Sequence, residues 1–122
     1  MPTPPAPAVQ IFGLEDSSST RAAVRFFKER RWTIHFVDLR RKAIAPGELR
    51  RFVDRLGASR LVDTEGRAYR DQGLAYLATD EAALVERLLA DVRLLRLPLV
   101  RFGNEVAVGK DEQAWKRWSK TT

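Results

Sequence analysis

The sequence predicts a single domain of the α/β class. The chain has 122 residues, which is enough for one hydrophobic core but not for two. Strand-like runs alternate with helix-like segments in the first half, and two short strand-like runs return near the end. The predicted order is therefore β-α-β-α, further helical turns, and then β-β-α. We expect this domain at residues 9–119, between a disordered proline-rich tail at 1–8 and a tail at 120–122.

The first strand and the first helix follow directly on the proline-rich tail. Residues 9–12 are a β-rich run that ends at a glycine, and residues 18–30 carry apolar side chains at helix-compatible positions. Asp16, Ser17 and Ser18 are each suited to cap the start of this helix. We therefore predict a tight turn from the strand into the helix.

A second strand and a second helix complete the first half. Residues 32–37 are β-branched and aromatic, which predicts a strand. Pro46 suits the first position of a helix, and Gly57 suits the position after its end. The apolar stripe of this helix consists of Leu49, Phe52, Val53 and Leu56. Its opposite face is basic and carries Arg50, Arg51 and Arg55.

The second half begins with weak periodicity and ends with clear signals. Residues 58–78 are predicted to hold one or two short helical turns, and Thr79 is a candidate cap for a helix that runs to residue 90. Residues 97–102 and 105–108 flank a Gly-Asn pair, which indicates a hairpin. A final helix begins near residue 110, and its buried face is predicted to carry Ala114, Trp115 and Trp118.

Composition excludes several classes of function. No cysteine is present, so disulfides, cysteine-containing zinc sites and iron–sulfur clusters are excluded, and no metal motif or phosphate-binding loop is found. The chain carries 22 Lys and Arg against 16 Asp and Glu, for a net charge of +6. These cations are mostly arginines spread along the whole chain, which favours a solvated surface over a nucleic-acid face.

The sequence also predicts that the protein does not enter a membrane. No apolar run approaches the roughly 18 residues of a membrane span. The N-terminal segment lacks the basic start and apolar core of a signal peptide. We therefore expect a cytoplasmic protein.

The segment between the first strand and the first helix carries a family resemblance. The arsenate reductase (ArsC) and Spx family has a cysteine here, then two residues, then Ser, Thr or Cys, and then Arg. The corresponding residues of this chain are Ser17-Ser18-Ser19-Thr20-Arg21.

Three further stretches resemble the same family, in the same order. Residues 61–74 resemble its segment of glycine, aromatic, basic and Gly-Leu positions, and residues 97–100 resemble its Arg-Pro-Ile-Val strand, whose proline is typically cis. Residues 105–115 resemble its closing pattern of Val-Gly, acidic residues and helix. The resemblance implies a thioredoxin-like fold: a four-stranded mixed sheet with flanking helices and a helical insertion before the C-terminal hairpin.

The chain departs from the family at the nucleophile. In a reductase of this type the cysteine attacks arsenate, whereas this chain has Ser17 in its place. A serine nucleophile needs a general base, and the only histidine, His35, lies in the second predicted strand, where a packed or edge-strand role is favoured. A disulfide switch of the Spx type is also excluded, because it needs cysteines where Ser17 and Thr20 stand.

The chain departs from the family at the anion-binding arginines as well. One expected arginine falls near Asp63, and the one before the proline is Leu97. Arg21 is retained, and Arg96 lies one position away from the expected place. An acidic residue in place of a cation would repel arsenate, so we reject arsenate reduction by the usual mechanism.

These considerations leave a candidate ligand site without a catalytic residue. Free N–H groups at a helix start attract anions. The family resemblance implies that a cis proline at Pro98 exposes a strand edge with which an extended peptide or glutathione can pair. The candidate ligand-binding residues are Ser17, Ser18, Ser19, Thr20, Arg21, Arg96 and Pro98. Among them, Ser17, Thr20 and Arg21 are interpreted as a vestigial catalytic site. The alternative is plain helix capping by the serines and inherited architecture at Pro98.

Two function classes follow from this site. The first is a redox-inactive, non-catalytic module that uses the cleft, or its basic helix faces, to bind a protein partner and has a regulatory role. The second is a glutathione-dependent reductase or thiol-transfer enzyme that binds the external thiol over Ser17 and Pro98. We favour the first, because it needs no chemistry that these residues lack. A small thiol or an oxyanion remains an alternative ligand, whereas a nucleic-acid or membrane partner and a metal are not expected.

Overall fold

The computed structural model describes residues 7–74 and 80–120. Within them, four strands form one mixed sheet in the order β2-β1-β3-β4. The strands are β1 (Ala8–Gly13), β2 (Thr33–Asp38), β3 (Leu99–Phe102) and β4 (Glu105–Val108). β1 pairs with β2 in parallel, while β3 pairs with β1 and with β4 in antiparallel orientation. The predicted α/β class and mixed sheet are confirmed.

Helices cover both faces of this sheet. They are α1 (Ser18–Glu29), α2 (Pro46–Leu56), α3 (Arg67–Asp71), α4 (Glu81–Ala90) and α5 (Glu112–Lys120), with short 3₁₀ helices at Ala58–Leu61 and Val92–Leu94. α2, α3 and α4 stand between β2 and the C-terminal hairpin, as the predicted helical insertion requires.

The two faces of the sheet bury different cores. Because side chains alternate along a strand, Val9 and Ile11 face the α1 and α5 side, where Phe27, Trp115 and Trp118 are fully buried. Phe12 of the same strand faces α2, α3 and α4 and the side chains packed under them. The prediction that both tryptophans belong to the core is confirmed.

The apolar stripe of α2 is also confirmed. Leu49 and Phe52 are fully buried, and the Phe52 ring meets Phe12 edge-on at a centroid distance of 5.9 Å. Pro46 is the first helical residue, and Gly57 ends the helix with φ +82°, a left-handed conformation that glycine adopts readily. The three arginines on the opposite face, at positions 50, 51 and 55, are exposed.

Some boundaries differ from the predicted ones, and at the start of α4 a polar side chain decides the boundary. The cap of α4 is Asp80, whose carboxylate accepts a hydrogen bond from the Ala83 N–H at 2.8 Å. The alternative cap, Thr79, lies outside the described residues. Strand β2 starts and ends one residue later than predicted. Within residues 7–74 and 80–120, none of the helices is long and apolar enough to cross a membrane.

Candidate functional site

Ser17 forms the cap of α1. Its hydroxyl Oγ accepts a hydrogen bond from the Thr20 N–H at 3.2 Å, and its carbonyl accepts one from Arg21 N–H at 3.0 Å. Of the three candidate caps, the structure selects Ser17, whose backbone is extended (φ −80°, ψ 121°). The hydroxyl at the position where the resemblance expects a cysteine therefore satisfies a backbone N–H of the first helical turn.

Thr20 lies at the buried junction of α1 and β1. Its side chain is 1 % exposed. A Cβ added to Gly13 would come within 2.5 Å of Thr20 Oγ1, so the strand can pass this close only because residue 13 is a glycine. Thr20 Oγ1 has no hydrogen-bond partner among the described residues. Thr20 therefore packs inward against the strand.

A cleft of about 520 Å³ opens beside Ser17, and we name it the Ser17 cleft. Four parts of the chain meet there: the start of α1, the turn before α3, the segment that leads to Pro98, and the turn between β4 and α5. Its polar lining residues are Ser17, Ser19, Asp63, Glu65, Arg93, Arg96 and Lys110, joined by the apolar Leu14 and Leu97.

The structure brings only part of the predicted site into this cleft. Ser17, Ser19 and Arg96 line it, whereas Ser18 is exposed outside it. Arg21 also lies outside the cleft, with its Nη1 donating to the Glu15 carbonyl at 3.1 Å.

Pro98 follows Leu97 in the chain but is not one of the residues that line the cleft. The Leu97–Pro98 peptide bond is cis, as the resemblance implied. Pro98 itself is buried, and its carbonyl accepts a hydrogen bond from the Gly109 N–H at 2.9 Å. Leu97, at the position where the resemblance expects an arginine, presents an apolar side chain to the cleft.

Asp63 puts a carboxylate at the mouth of the cleft. Its Oδ1 accepts from the Glu65 N–H at 3.3 Å, and its main chain is fixed by a 2.8 Å bond to the Leu94 carbonyl. The carboxylate thus closes the turn that leads into α3. Glu65 adds a second carboxylate to the lining.

Two of the three cations of the cleft have acidic partners. Arg93 makes a bidentate ion pair with Asp91. The distance from Nε to Oδ1 is 3.0 Å, and the distance from Nη2 to Oδ2 is 2.8 Å. These hydrogen bonds hold the pKa of Asp91 below its ordinary value and raise the pKa of Arg93. Lys110 Nζ lies 3.7 Å from Glu112.

Arg96 is the cation of the cleft without such a partner. Its side-chain methylenes lie against Gly109, where an added Cβ would approach Cδ at 3.2 Å. No hydrogen bond or ion pair engages its guanidinium within residues 7–74 and 80–120. An oxyanion in the cleft would therefore meet one guanidinium without an acidic partner, two cations that already have acidic partners, and the carboxylates of Asp63 and Glu65.

Among the described residues, no histidine lines the cleft beside Ser17. The only histidine of the chain, His35, is exposed in β2 opposite Gln10 and does not line the cleft. It has the edge-strand position that the sequence favoured. In the described part of the chain, no group of three or more His, Cys, Asp or Glu residues could hold a metal ion.

Sequence reasoning missed a second polar feature of α1. Arg21, Arg25 and Lys28 line a groove on the β2 side of this helix, over Val24 and Phe36. Their i, i+4, i+7 spacing places them on one helix face, so the sequence alone could have predicted a basic face on α1. Arg21 therefore belongs to this second surface.

A family model now identifies the chain. The model of the ArsC family matches residues 12–118. The chain belongs to the ArsC family. A comparison with curated proteins finds no match.

Solved structures of other ArsC-like proteins share the fold. The YFFB protein superposes with a TM-score of 0.82 at 21% identity, over 89% of this chain and 96% of its own. An arsenate reductase from Vibrio cholerae gives 0.80 at 17% identity, over 91% and 98%. An arsenate reductase (ArsC) related protein from Brucella melitensis gives 0.72 at 18% identity, over 97% and 99%. At these identities the likeness shows the thioredoxin-like fold.

Proposed function

We propose that this ArsC-family protein is redox-inactive and serves as a non-catalytic, regulatory module that binds a protein partner through the Ser17 cleft. The observation that carries the proposal is the use of Ser17 Oγ as the cap of α1, with no histidine in the cleft to activate it. A hydroxyl cannot be oxidised and reduced again as a thiolate can, so the position has a structural role and no redox role.

The charges of the cleft support binding of a peptide more than binding of an oxyanion. Arg96 and Lys110 can meet carboxylates, while Asp63 and Glu65 can meet amines or backbone N–H groups. Leu14 and Leu97 add apolar contact area. A polypeptide segment offers groups of all three kinds, whereas arsenate offers only negative oxygens.

The same mixture of charges favours a second candidate, a glutathione-dependent reductase or thiol-transfer enzyme. Glutathione is a small peptide with two carboxylates and one amine, and the cleft of about 520 Å³ is large enough to hold a small molecule. In this case the bound thiol would supply the reactive sulfur, and the protein would only bind and orient it.

An NMR titration separates the two candidates. We expect millimolar glutathione or arsenate to leave the amide signals of Ser17, Ser19 and Arg96 unchanged. Saturable shifts at these residues together with thiol-dependent turnover would establish the enzyme and refute the non-catalytic module.

An affinity capture with matched variants tests the partner. The double variant Arg96→Glu/Lys110→Glu changes the cleft, while Arg50→Glu/Arg55→Glu makes the same change in net charge on the exposed face of α2. We expect a specific partner to be lost from the first variant and retained by the second. Equal retention by both variants would exclude the cleft as the binding site.

A cytoplasmic location is part of the proposal, and cell fractionation tests it.

A further inference from the structure

Within residues 7–74 and 80–120, strand β2 is an edge of the sheet with no strand on its outer side. None of its residues is buried, in contrast to β1, where Val9, Ile11, Phe12 and Gly13 are. It pairs with β1 without interruption over six positions, so no β-bulge twists it away from an approaching strand. Residues 33–38 also contain no lysine, arginine or proline, which are common protections of an edge. The edge is therefore suited to receive a further strand.

The pairing with β1 determines which backbone groups are available. The Thr33 N–H donates to the Pro7 carbonyl, and the Leu39 N–H donates to the Gly13 carbonyl. Because hydrogen bonding alternates along a strand, odd-numbered residues from 33 to 39 bond to β1. The N–H and C=O groups of Ile34 and Phe36 therefore point outward.

A groove runs beside this edge, between α1 and β2. Its volume is about 560 Å³, and its floor includes Val24 and Phe36, which are both half-buried. Arg21, Arg25 and Lys28 form its rim, with Glu15 at one end. Arg25 and Lys28 have no ion pair or hydrogen-bonded side-chain partner among the described residues. The groove thus combines an apolar floor with uncompensated positive charge.

We propose that this surface, the α1–β2 face, binds an extended acidic segment of another protein that adds to the edge of β2. The segment hydrogen-bonds to Ile34 and Phe36, places an apolar side chain over Val24 and Phe36, and brings its carboxylates to Arg25 and Lys28. The proposal does not depend on the Ser17 cleft, which lies on the other side of the α1 N-terminus and shares no lining residue with this groove.

The charges and the apolar floor of the face favour an acidic peptide over a second copy of the chain and over a nucleic acid. A second copy pairing β2 with β2 would bring two sets of cations from α1 into proximity, which is unfavourable. A nucleic acid would satisfy the cations, but the apolar floor and the outward backbone groups of Ile34 and Phe36 match a polypeptide better. An acidic peptide uses the charges, the apolar floor and the strand edge together.

The direct test is titration with a synthetic peptide, Asp-Glu-Val-Thr-Leu-Thr-Val-Glu-Asp, labelled with fluorescein. We expect saturable binding by anisotropy and amide shifts at Ile34 and Phe36. The same peptide with alternate N-methyl groups, or with lysine in place of its acidic residues, should bind at least about tenfold more weakly, since each removes part of the recognition.

Matched variants assign the binding to this face. Arg25→Glu/Lys28→Glu should weaken binding by roughly tenfold or more, whereas Arg50→Glu/Arg55→Glu, with the same change in net charge, should change it by less than about twofold. All four positions are exposed, and thermal unfolding would verify that both variants fold.

Several results would overturn the proposal. One is the absence of shifts at Ile34 and Phe36 at millimolar peptide, and another is an equal loss of affinity in both double variants. Equal binding of the N-methylated peptide would exclude strand addition. Tighter binding of an oligonucleotide of equal charge would assign the face to a nucleic acid, and a dimer by light scattering that Arg25→Glu/Lys28→Glu disrupts would assign it to a second copy of the chain.

Discussion

The aromatic core and the Ser17 cleft lie at different parts of the same helix, α1, and they differ in how their residues are used. Phe27 is fully buried near the C-terminal end and packs against Trp32 and Trp115. At the N-terminal end, Ser17 and its neighbours form local hydrogen bonds instead of a charged anion site. None of the residues that line the cleft is a member of this aromatic core. The comparison teaches that one helix contributes to a packed core at one end and to a polar cleft at the other, through different residues.

The largest expected effect is in the core. Trp115 is fully buried, with ring centroids 5.5 Å from Phe26 and 6.0 Å from Phe27. We expect Trp115→Ala to lower the free energy of unfolding by about 3–5 kcal/mol, because it leaves a large cavity. Urea denaturation measures this, with the exposed Lys116→Ala on the same helix as the control. A loss below about 1 kcal/mol would mean that the core is not what holds α1 and α5 on the sheet.

The next effect is at the junction between the core and the cleft. Gly13→Ala places a Cβ within 2.5 Å of Thr20 Oγ1 and 2.6 Å of its Cγ2, so the buried threonine must move. We expect a loss of about 1–3 kcal/mol in unfolding free energy. The double variant Gly13→Ala/Thr20→Ala should cost less than the sum of the single variants, because the clash is removed. Additive losses would show that the two residues do not constrain each other.

This difference between core and cleft also explains how much the sequence could predict. The strands, the stripe of α2 and the buried tryptophans follow from apolar periodicity, which a sequence displays directly. The direction in which a polar side chain points does not follow from this periodicity. Successive residues of a helix are rotated by about 100° about its axis, so neighbours in the chain point to different surfaces. Thr20 and Arg21 are therefore close to Ser17 in the chain, yet they point to the β1 junction and to the α1–β2 face.

The sequence could not predict the partners of the charged residues either. Asp63 was predicted only as a repulsive residue, whereas the structure shows that its carboxylate accepts from Glu65 N–H and closes a turn. Arg93 enters the cleft although no motif includes it, and its pairing with Asp91 depends on the geometry of the 3₁₀ helix at Val92–Leu94. Such contacts depend on local backbone shape, which periodicity does not report.

Asp91 gives a smaller effect with a defined pH dependence. Its carboxylate accepts from the backbone and guanidinium of Arg93 and from Gln72 Nε2 at 2.9 Å. We expect Asp91→Asn to lower the unfolding free energy at pH 7 by about 1 kcal/mol, a modest value because the side chain of Arg93 is 72% exposed. The exposed Asp54→Asn is the control.

The sign of the pH dependence follows from the lowered pKa of Asp91, whose largest cause is the hydrogen bond from Arg93. The stabilisation is complete above the unfolded-state pKa of about 3.9 and is lost as the pH falls through the lower folded-state pKa. Denaturation at pH 7, 4 and 3 should therefore show the gap between wild type and Asp91→Asn closing in acid. A gap that is constant with pH would exclude the ionised carboxylate as its cause.

The smallest expected effect is the one that tests the cleft most directly. Ser17→Cys introduces a thiol at the position where the resemblance expects a cysteine, and a thiol at a helix N-terminus has a lowered pKa and reacts readily. We expect iodoacetamide to alkylate this cysteine faster than the one in the control Ser18→Cys.

We also expect Ser17→Cys to show no arsenate reduction above the wild-type level, with glutathione as the reductant. Arsenate would meet the carboxylates of Asp63 and Glu65, and Arg93 is already paired with Asp91. Reduction of arsenate by Ser17→Cys alone would show that the cleft has kept its chemistry and lost only one atom. A reactive thiol without turnover would instead show that the surrounding charges of the cleft have changed as well.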